Sequence, residues 1–293
     1  MSFRLEMLQV ARLAPKMLGE SADLVVAFLR SRLLAEGAFM NREGKADLYY
    51  TVFGIEGMLA LQQSFPKNQV ESWLQQFGAG DDLDFVHLCC LARSWAALDG
   101  KALSDDTRQA MAAHLERHRA GMGYHPAQGK DQASAYGCLL AAAAYEDIGL
   151  PLPDEAGVKA CMDGLLCPGG GWTNEKMLLL ANAPGTAAAL ALYRRRRWNV
   201  PASSIEWLMN CRQPDGGFLA FPKAPIPDLL STAVALHGLA GAQVDLSRVK
   251  EPCLDFIDSL WSAEGGFHGN WTDHTLDCEY TYYGLLALGH LSL

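Results

Sequence analysis

Apolar residues recur along this chain at the i, i+3, i+4 spacing of one helix face almost everywhere, and strand-type alternation is nearly absent. The apolar stretches are of two kinds that take turns. One kind is amphipathic and predicts helices over roughly 22–35, 67–77, 104–119, 154–166, 201–212 and 247–262. The other is apolar on most sides and predicts helices over roughly 47–62, 84–98, 131–147, 177–193, 228–241 and 277–291. A helix that is apolar all round must be buried, whereas an amphipathic one lies outside a core. Six outer–inner hairpins follow, preceded by an extra helix near 3–17 within an N-terminal segment 1–20.

The turns between outer and inner helices repeat as well. A Gly-Gly-aromatic turn or a close variant occurs at Gly37-Ala38-Phe39, Gly121-Met122-Gly123-Tyr124, Gly170-Gly171-Trp172, Gly216-Gly217-Phe218 and Gly265-Gly266-Phe267. The last four aromatics are 48, 46 and 49 residues apart. A fixed period in the forties marks a repeat architecture. Glycine supplies the positive φ that ends each outer helix. An open stack of repeats would need polar caps at its ends, yet the last inner helix, Tyr280 to Leu293, is as apolar as the others. The pattern therefore predicts an all-α fold, an α6–α6 barrel (α/α toroid) of six helical hairpins around a central apolar cavity. No Pro/Gly/Ser-rich linker divides residues 1–293, so one domain is expected.

Composition narrows the partners. The chain has 293 residues and a formal net charge of -9, which disfavours nucleic acid and anionic membranes. The run Arg194-Arg195-Arg196-Arg197 follows an apolar helix and reads as a solvated helix end. Eight cysteines without a Cys-x-x-Cys pair read as reduced core thiols. Met1-Ser2-Phe3-Arg4-Leu5-Glu6 lacks the apolar run of a signal peptide. The most apolar segment, Met177 to Tyr193, is broken by Asn182, Pro184 and Gly185, so no membrane span is expected. A cytoplasmic location is the expectation.

Polar residues collect where inner helices begin. Asp47, Asp84, Asp131, Asp228 and Asp277 open five of them, and Leu179 and Asn182 stand near the fourth start. Asp there suits N-capping. Three residues later come Tyr50, His87, Ser134, Ser231 and Tyr280, which helical geometry turns toward the same barrel mouth.

The segment Trp207-Leu208-Met209-Asn210-Cys211-Arg212-Gln213-Pro214-Asp215-Gly216-Gly217-Phe218 and the Ala/Leu-rich helix after it resemble a known repeat. It is the repeat shared by protein prenyltransferase β subunits and squalene/terpene cyclases, and the resemblance covers about residues 20–293. It implies an α6–α6 barrel with a hydrophobic cavity. Class II terpene cyclases carry Asp-x-Asp-Asp, whose middle acid protonates an alkene or epoxide. Asp228-Leu229-Leu230-Ser231 puts Leu230 in that place, while Asp277-Cys278-Glu279-Tyr280 puts Glu279 there. A buried Glu with a raised pKa is able to donate a proton.

The prenyltransferase signature holds a prenyl diphosphate with Arg, Lys and Tyr and ligates zinc with Asp, Cys and, in the next repeat, His. Arg42, Lys45, Asp47 and Tyr50 match it with one residue deleted between Lys and Asp, and Asp84-Phe85-Val86-His87 matches the next repeat. Tyr49 stands where the zinc Cys belongs. Cys90, one turn past His87, completes an Asp47/His87/Cys90 candidate set. The other reading makes His87 a polar cavity residue and Cys90 a core thiol. No cofactor is required by the sequence; zinc and magnesium are the metals left open. Likewise Arg42 and Lys45 suit a diphosphate or, equally, ion pairs with Glu43, Asp47 and neighbouring acids.

Tyr49, Tyr50, Phe53, Trp95, Tyr136, Tyr280, Tyr282 and Tyr283 add aromatic surface on the inner helices, suited to an isoprenoid chain, to cationic intermediates or simply to core filling. The expectation is an isoprenoid-handling enzyme that acts on a prenyl diphosphate. Asp47, Tyr50, Asp277 and Glu279 are its catalytic candidates, and Arg42, Lys45, Tyr49, Tyr280 and Tyr283 its substrate contacts. The alternative is a non-catalytic barrel that binds a lipid or peptide. A carbohydrate-active barrel with paired carboxylates fits the Gly-Gly-Phe repeats less well. A homodimer or a helical partner subunit is the expected kind of assembly.

Overall fold

A computed structural model describes residues 2–98, 103–178 and 180–293. The chain enters through α1 (Phe3–Ala11) and the short α2 (Pro15–Leu18). The single helix expected near 3–17 is thus broken, at Pro15, which lacks an amide for an interior helical bond. Among the described residues six hairpins follow. They are α3 (Ala22–Ser31) with α4 (Leu48–Ala60), α5 (Lys67–Gln75) with α6 (Phe85–Ala97), and α7 (Asp105–Glu116) with α8 (Ala135–Asp147). The last three are α9 (Glu155–Asp163) with α10 (Ala183–Arg195), α11 (Ala202–Met209) with α12 (Leu229–Gly241), and α13 (Lys250–Asp258) with α14 (Cys278–Leu291).

The even-numbered helices from α4 to α14 form the inner ring. Each packs on the next, and α14 packs back on α4, so the ring closes. The outer layer closes too: a Cβ on Gly265, in the last turn, would lie 2.1 Å from the carbonyl oxygen of Leu24 in the first outer helix.

The Gly-Gly-aromatic turns are small hairpins. Bridges join Leu33 to Phe39, Leu166 to Trp172, Arg212 to Phe218 and Trp261 to Phe267. In the third repeat the turn widens into β1 (Arg119–Ala120) and β2 (Gly123–Tyr124), which pair antiparallel. A threonine in the following inner helix secures three of these turns. The amides of Phe39, Trp172 and Phe218 donate to Thr51, Thr186 and Thr232 Oγ1 respectively, each at 2.9 Å. The same hydroxyls reach back to the carbonyls of the N-cap residues Asp47, Asn182 and Asp228.

Two inner helices start later than the pattern predicts. Ser134, not Asp131, caps α8, and Asn182 caps α10. Residues before Asn182 form a loop that leaves Met177 83% exposed. Leu179 lies outside the described residues.

α1 seals the ring at the C-terminal ends of the inner helices. The amide of Phe3 donates to Glu146, Arg4 Nη1 pairs with Glu56 at 3.3 Å, and Arg194 pairs with Glu6. The arginine run is therefore less solvated than its sequence suggests. Arg195 and Arg196 also pair with Glu146, and Arg197 is the exposed member. All eight cysteines are free thiols, buried or half-buried. Among the described residues no helix is long and apolar enough to cross a membrane.

Candidate active site in the barrel lumen

With α1 closing the floor, the inner-helix N-termini form the mouth. Four of those helices are capped by Asp. Oδ1 of Asp47, Asp84, Asp228 and Asp277 accepts the amide of Tyr50, His87, Ser231 and Tyr280 respectively. The caps hold the first turns in one register, and it is this register that brings the candidate residues of α4, α6 and α14 together.

Asp277 is 2% exposed and is clamped by Arg42, whose Nε donates to it at 2.7 Å while Nη1 meets Asp273 at 2.9 Å. Burial opposes the Arg42 charge, but the two carboxylates more than offset it and raise its pKa. The guanidinium also lies over the Tyr280 ring, 5.4 Å from its centroid. Lys45 stands apart in solvent, 2.8 Å from Glu43. The two cations matched to a diphosphate are thus separated, one held by two acids and the other in an exposed loop pair.

Glu279, in the first turn of α14, faces the lumen and accepts from Tyr49 Oη at 2.6 Å. Burial pushes its carboxyl up to about 7, although the Tyr49 hydrogen bond and Arg42 pull the other way. Burial also raises the Tyr49 and Tyr50 hydroxyls. Below Glu279 the wall is aromatic. Tyr49 meets Phe53 edge-on at 5.0 Å, and Phe53 lies 5.6 Å from Tyr283 and 5.9 Å from Tyr282. Tyr136, on the facing helix α8, is 39% exposed. Burial lifts the Tyr136 hydroxyl, and it pushes the Tyr280 hydroxyl up to about 12.

The metal candidates do not converge. Asp47 Oδ1 is engaged by the amides of Tyr49 and Tyr50. His87 Nδ1 bonds to Asp84 at 2.8 Å, and its Nε2 lies 4.0 Å from Asp47. Burial pushes the Cys90 thiol up to about 12, far from the thiolate a metal requires. Among the described residues no three His, Cys, Asp or Glu side chains form a metal-holding group. The residues present do not fit a zinc site.

Deeper in the lumen lie charges that the sequence did not signal. Arg93 on α6 is surrounded by protein, yet its side chain keeps 22% of its surface. Glu56, fully buried on α4, lies 3.5 Å from Arg93 Nε. Asp147 ends α8 beside them, and burial pushes it up to about 7. Inward spacing flags Glu56, seven residues past Tyr49 on the same helix face, whereas Arg93, six past His87, is turned about 120° from it and carries no such signal.

Comparison with known proteins agrees with this architecture. Residues 185–292 match the family described as Prenyltransferase alpha-alpha toroid domain. A comparison with curated proteins found no match. Among solved structures, the type II terpene cyclase MstE from Scytonema, in its apo form, superposes with a TM-score of 0.63 at 15% identity, covering 94% of this chain and 98% of that one. Candida albicans protein geranylgeranyltransferase-I complexed with GGPP gives a TM-score of 0.63 at 14% identity, covering 83% of each chain. A substituted form of MstE in complex with its substrate, geranylgeranyl dihydroxybenzoate, gives 0.62 at 13% identity, covering 95% of this chain and 97% of that one. The chain carries the alpha-alpha toroid fold of prenyltransferases and terpene cyclases.

Proposed function

We propose that this barrel is a proton-initiated isoprenoid cyclase in which Glu279 is the acid. The observation that carries the reading is the state of Glu279. It is a half-buried carboxyl that desolvation pushes up to about 7, held by a tyrosine hydroxyl at the head of an aromatic wall. Tyr49 engages Oε1, which leaves Oε2 to carry the proton. Arg42 neutralises the neighbouring Asp277 and so keeps a second negative charge from being added beside the acid. The structural neighbours include a terpene cyclase bound to a geranylgeranyl compound and a transferase bound to GGPP, which supports an isoprenoid as the occupant.

The proton of Glu279 passes to a terminal alkene carbon of a linear isoprenoid, and the π pair forms the new C–H bond. The tertiary cation is attacked by the next alkene, and the faces of Tyr49, Phe53 and Tyr283 stabilise the positive charge. The last cation loses a proton to water, and solvent at the mouth reprotonates Glu279. Atoms balance as an isomerisation. Ionisation of a diphosphate finds less support, because Arg42 is already committed to two carboxylates and Lys45 to Glu43.

The test is turnover in D2O of a panel comprising geranylgeraniol, geranylgeranoic acid and squalene, with mass spectrometry of the products. One solvent deuterium should enter each cyclised product. Glu279→Gln should lower the rate by roughly 10²–10⁴-fold at unchanged folding. The wild-type rate should fall as pH rises through about 7, where Glu279 loses its proton. Release of diphosphate from geranylgeranyl diphosphate without deuterium uptake would instead establish ionisation. Binding of the panel without turnover would leave a lipid carrier.

A further inference from the structure

A cavity of about 300 Å³ opens between α10, α11 and α12 at the floor end of the ring, the end opposite Glu279. Much of its wall is apolar, from Leu190, Trp198, Val200 and Ile205. Glycines on α12 make the room. A Cβ on Gly238 would already touch Leu190 and Leu208 at 3.4 Å, and one on Gly241 would lie 2.6 Å from Arg194 Nε. The Arg194 side chain thus lies against the backbone of α12 at the cavity edge. Ligand pockets run from about 300 to 1,000 Å³, so this one suits a small ligand.

The charges narrow the ligand. Two cations line the cavity, Arg194 and Arg197, and no acid does. Arg194 is paired with Glu6, and Arg195 and Arg196 with Glu146. Arg197 is exposed, and among the described residues no carboxylate lies within ion-pairing distance of it. One positive charge is thus unmatched beside an apolar wall, in a chain whose net charge is -9. The local backbone does not demand this arginine. Arg197 stands at φ +56° just past α10, where its amide and that of Trp198 donate to the carbonyls of Arg194 and Tyr193. That is a helix-ending turn in which glycine is the usual residue. Gln62 and Gln243 hold the same turn after α4 and α12, at φ +56° and +62°. A neutral side chain serves that turn, so its geometry does not account for the charge at Arg197.

We infer that this cavity binds a small amphipathic monoanion, an aliphatic carboxylate whose chain lies against Trp198, Val200 and Ile205 and whose head pairs with Arg197. One unmatched cation calls for one negative charge, and the apolar wall calls for a hydrocarbon body. The site is separate from the lumen and stands whether or not Glu279 is an acid. It lies beside the Arg194–Glu6 pair that fastens α1.

The experiment is calorimetric titration of the whole chain with octanoate and with 1-octanol at pH 7.5. Octanoate should bind at least about five-fold more tightly in low salt, the scale of one charge-assisted contact at a partly exposed site. The preference should shrink in about 1 M salt, which screens an exposed pair. Arg197→Gln supplies the residue that holds the same turn after α4 and α12, and Arg197→Gly suits the positive φ, so both variants should fold. Each should bring octanoate and octanol within about two-fold while leaving the octanol affinity unchanged. Equal affinity of the two ligands for the wild type overturns the proposal. A preference that survives in both variants overturns it as well, because the charged contact then lies elsewhere. Binding of neither ligand also overturns it, and leaves the reading of the lumen untouched.

Discussion

Asp147 and Glu279 are two carboxyls whose protons are held by burial, and each ties stability to pH. For Asp147 the sign is fixed by its folded pKa, about 7, lying above the ordinary carboxylate value of the unfolded chain. Its contribution is fully present below the unfolded pKa and is lost as pH rises through about 7. Asp147→Asn does not titrate, so it should match the wild type near pH 4 and exceed it at pH 8. The gain should be on the order of 2–4 kcal/mol, from about 1.4 kcal/mol for each tenfold change in the proton equilibrium. Thermal unfolding from pH 4 to 8 checks it, and a constant difference between the two proteins would show that Asp147 is ionised throughout. His237 and His290 titrate in the opposite sense. They contact each other at 3.0 Å, and burial pushes His237 down to about 4 and His290 well below the ordinary histidine value, so the stability they contribute is present above that ordinary value and is lost as pH falls from it toward about 4.

The helical hairpin is the level of this molecule most legible in its sequence, and the side-chain joints between hairpins are the least. Apolar spacing located every outer and inner helix because burial of a helix face is periodic in sequence. Helix starts were less legible. Asp131 and Ser134 are both good caps, and only the packed structure selects Ser134 for α8. The site was legible in its upper part, where the position of Glu279 followed from the repeat. Tyr49 was a candidate in its own right, but its pairing with Glu279, 230 residues away, had no sequence signal. Threonines of the inner helices were missed for a similar reason, since a hydroxyl bonded to a turn amide leaves no apolar period. The turns themselves allow a graded test. At Gly216, φ is +94° and a Cβ would lie 1.9 Å from the Pro252 carbonyl oxygen, whereas Gly44 is open at φ +78°. Gly216→Ala should cost more than about 3 kcal/mol, combining backbone strain with a clash that neighbouring backbone cannot relieve. Gly44→Ala should cost about 1 kcal/mol, the strain alone. Thr232→Val, which strips the Phe218 amide of its acceptor, should cost about 1–3 kcal/mol. Denaturant unfolding of the three variants gives the order, and equal losses for the two glycines would refute the role assigned to the turn.

A closed ring of helices has two open ends, and this chain treats them differently. The mouth is held by caps and by the Arg42 clamp, whereas the floor is sealed by α1, the chain's own first helix. α1 inserts Phe3, Leu8 and Ala11 as buried residues, and its Arg4 and Glu6 pair with Glu56 on α4 and Arg194 on α10. It thereby links inner helices that are not neighbours in the ring, and the ring cannot loosen without breaking those links. Burial of Phe3 and Leu8 contributes about 2–3 kcal/mol each. Loss of Arg4 would also leave Glu56, fully buried, with Arg93 alone. Deleting residues 2–13 should therefore cost on the order of 5 kcal/mol, which lowers the melting temperature by roughly 10 °C or more for a chain of this size. The truncated barrel should bind a hydrophobic dye at its open floor, and a synthetic peptide of residues 2–14 added in trans should reverse both effects. An unchanged melting temperature would mean that the ring closes by inner-helix packing alone and that α1 merely rests on it.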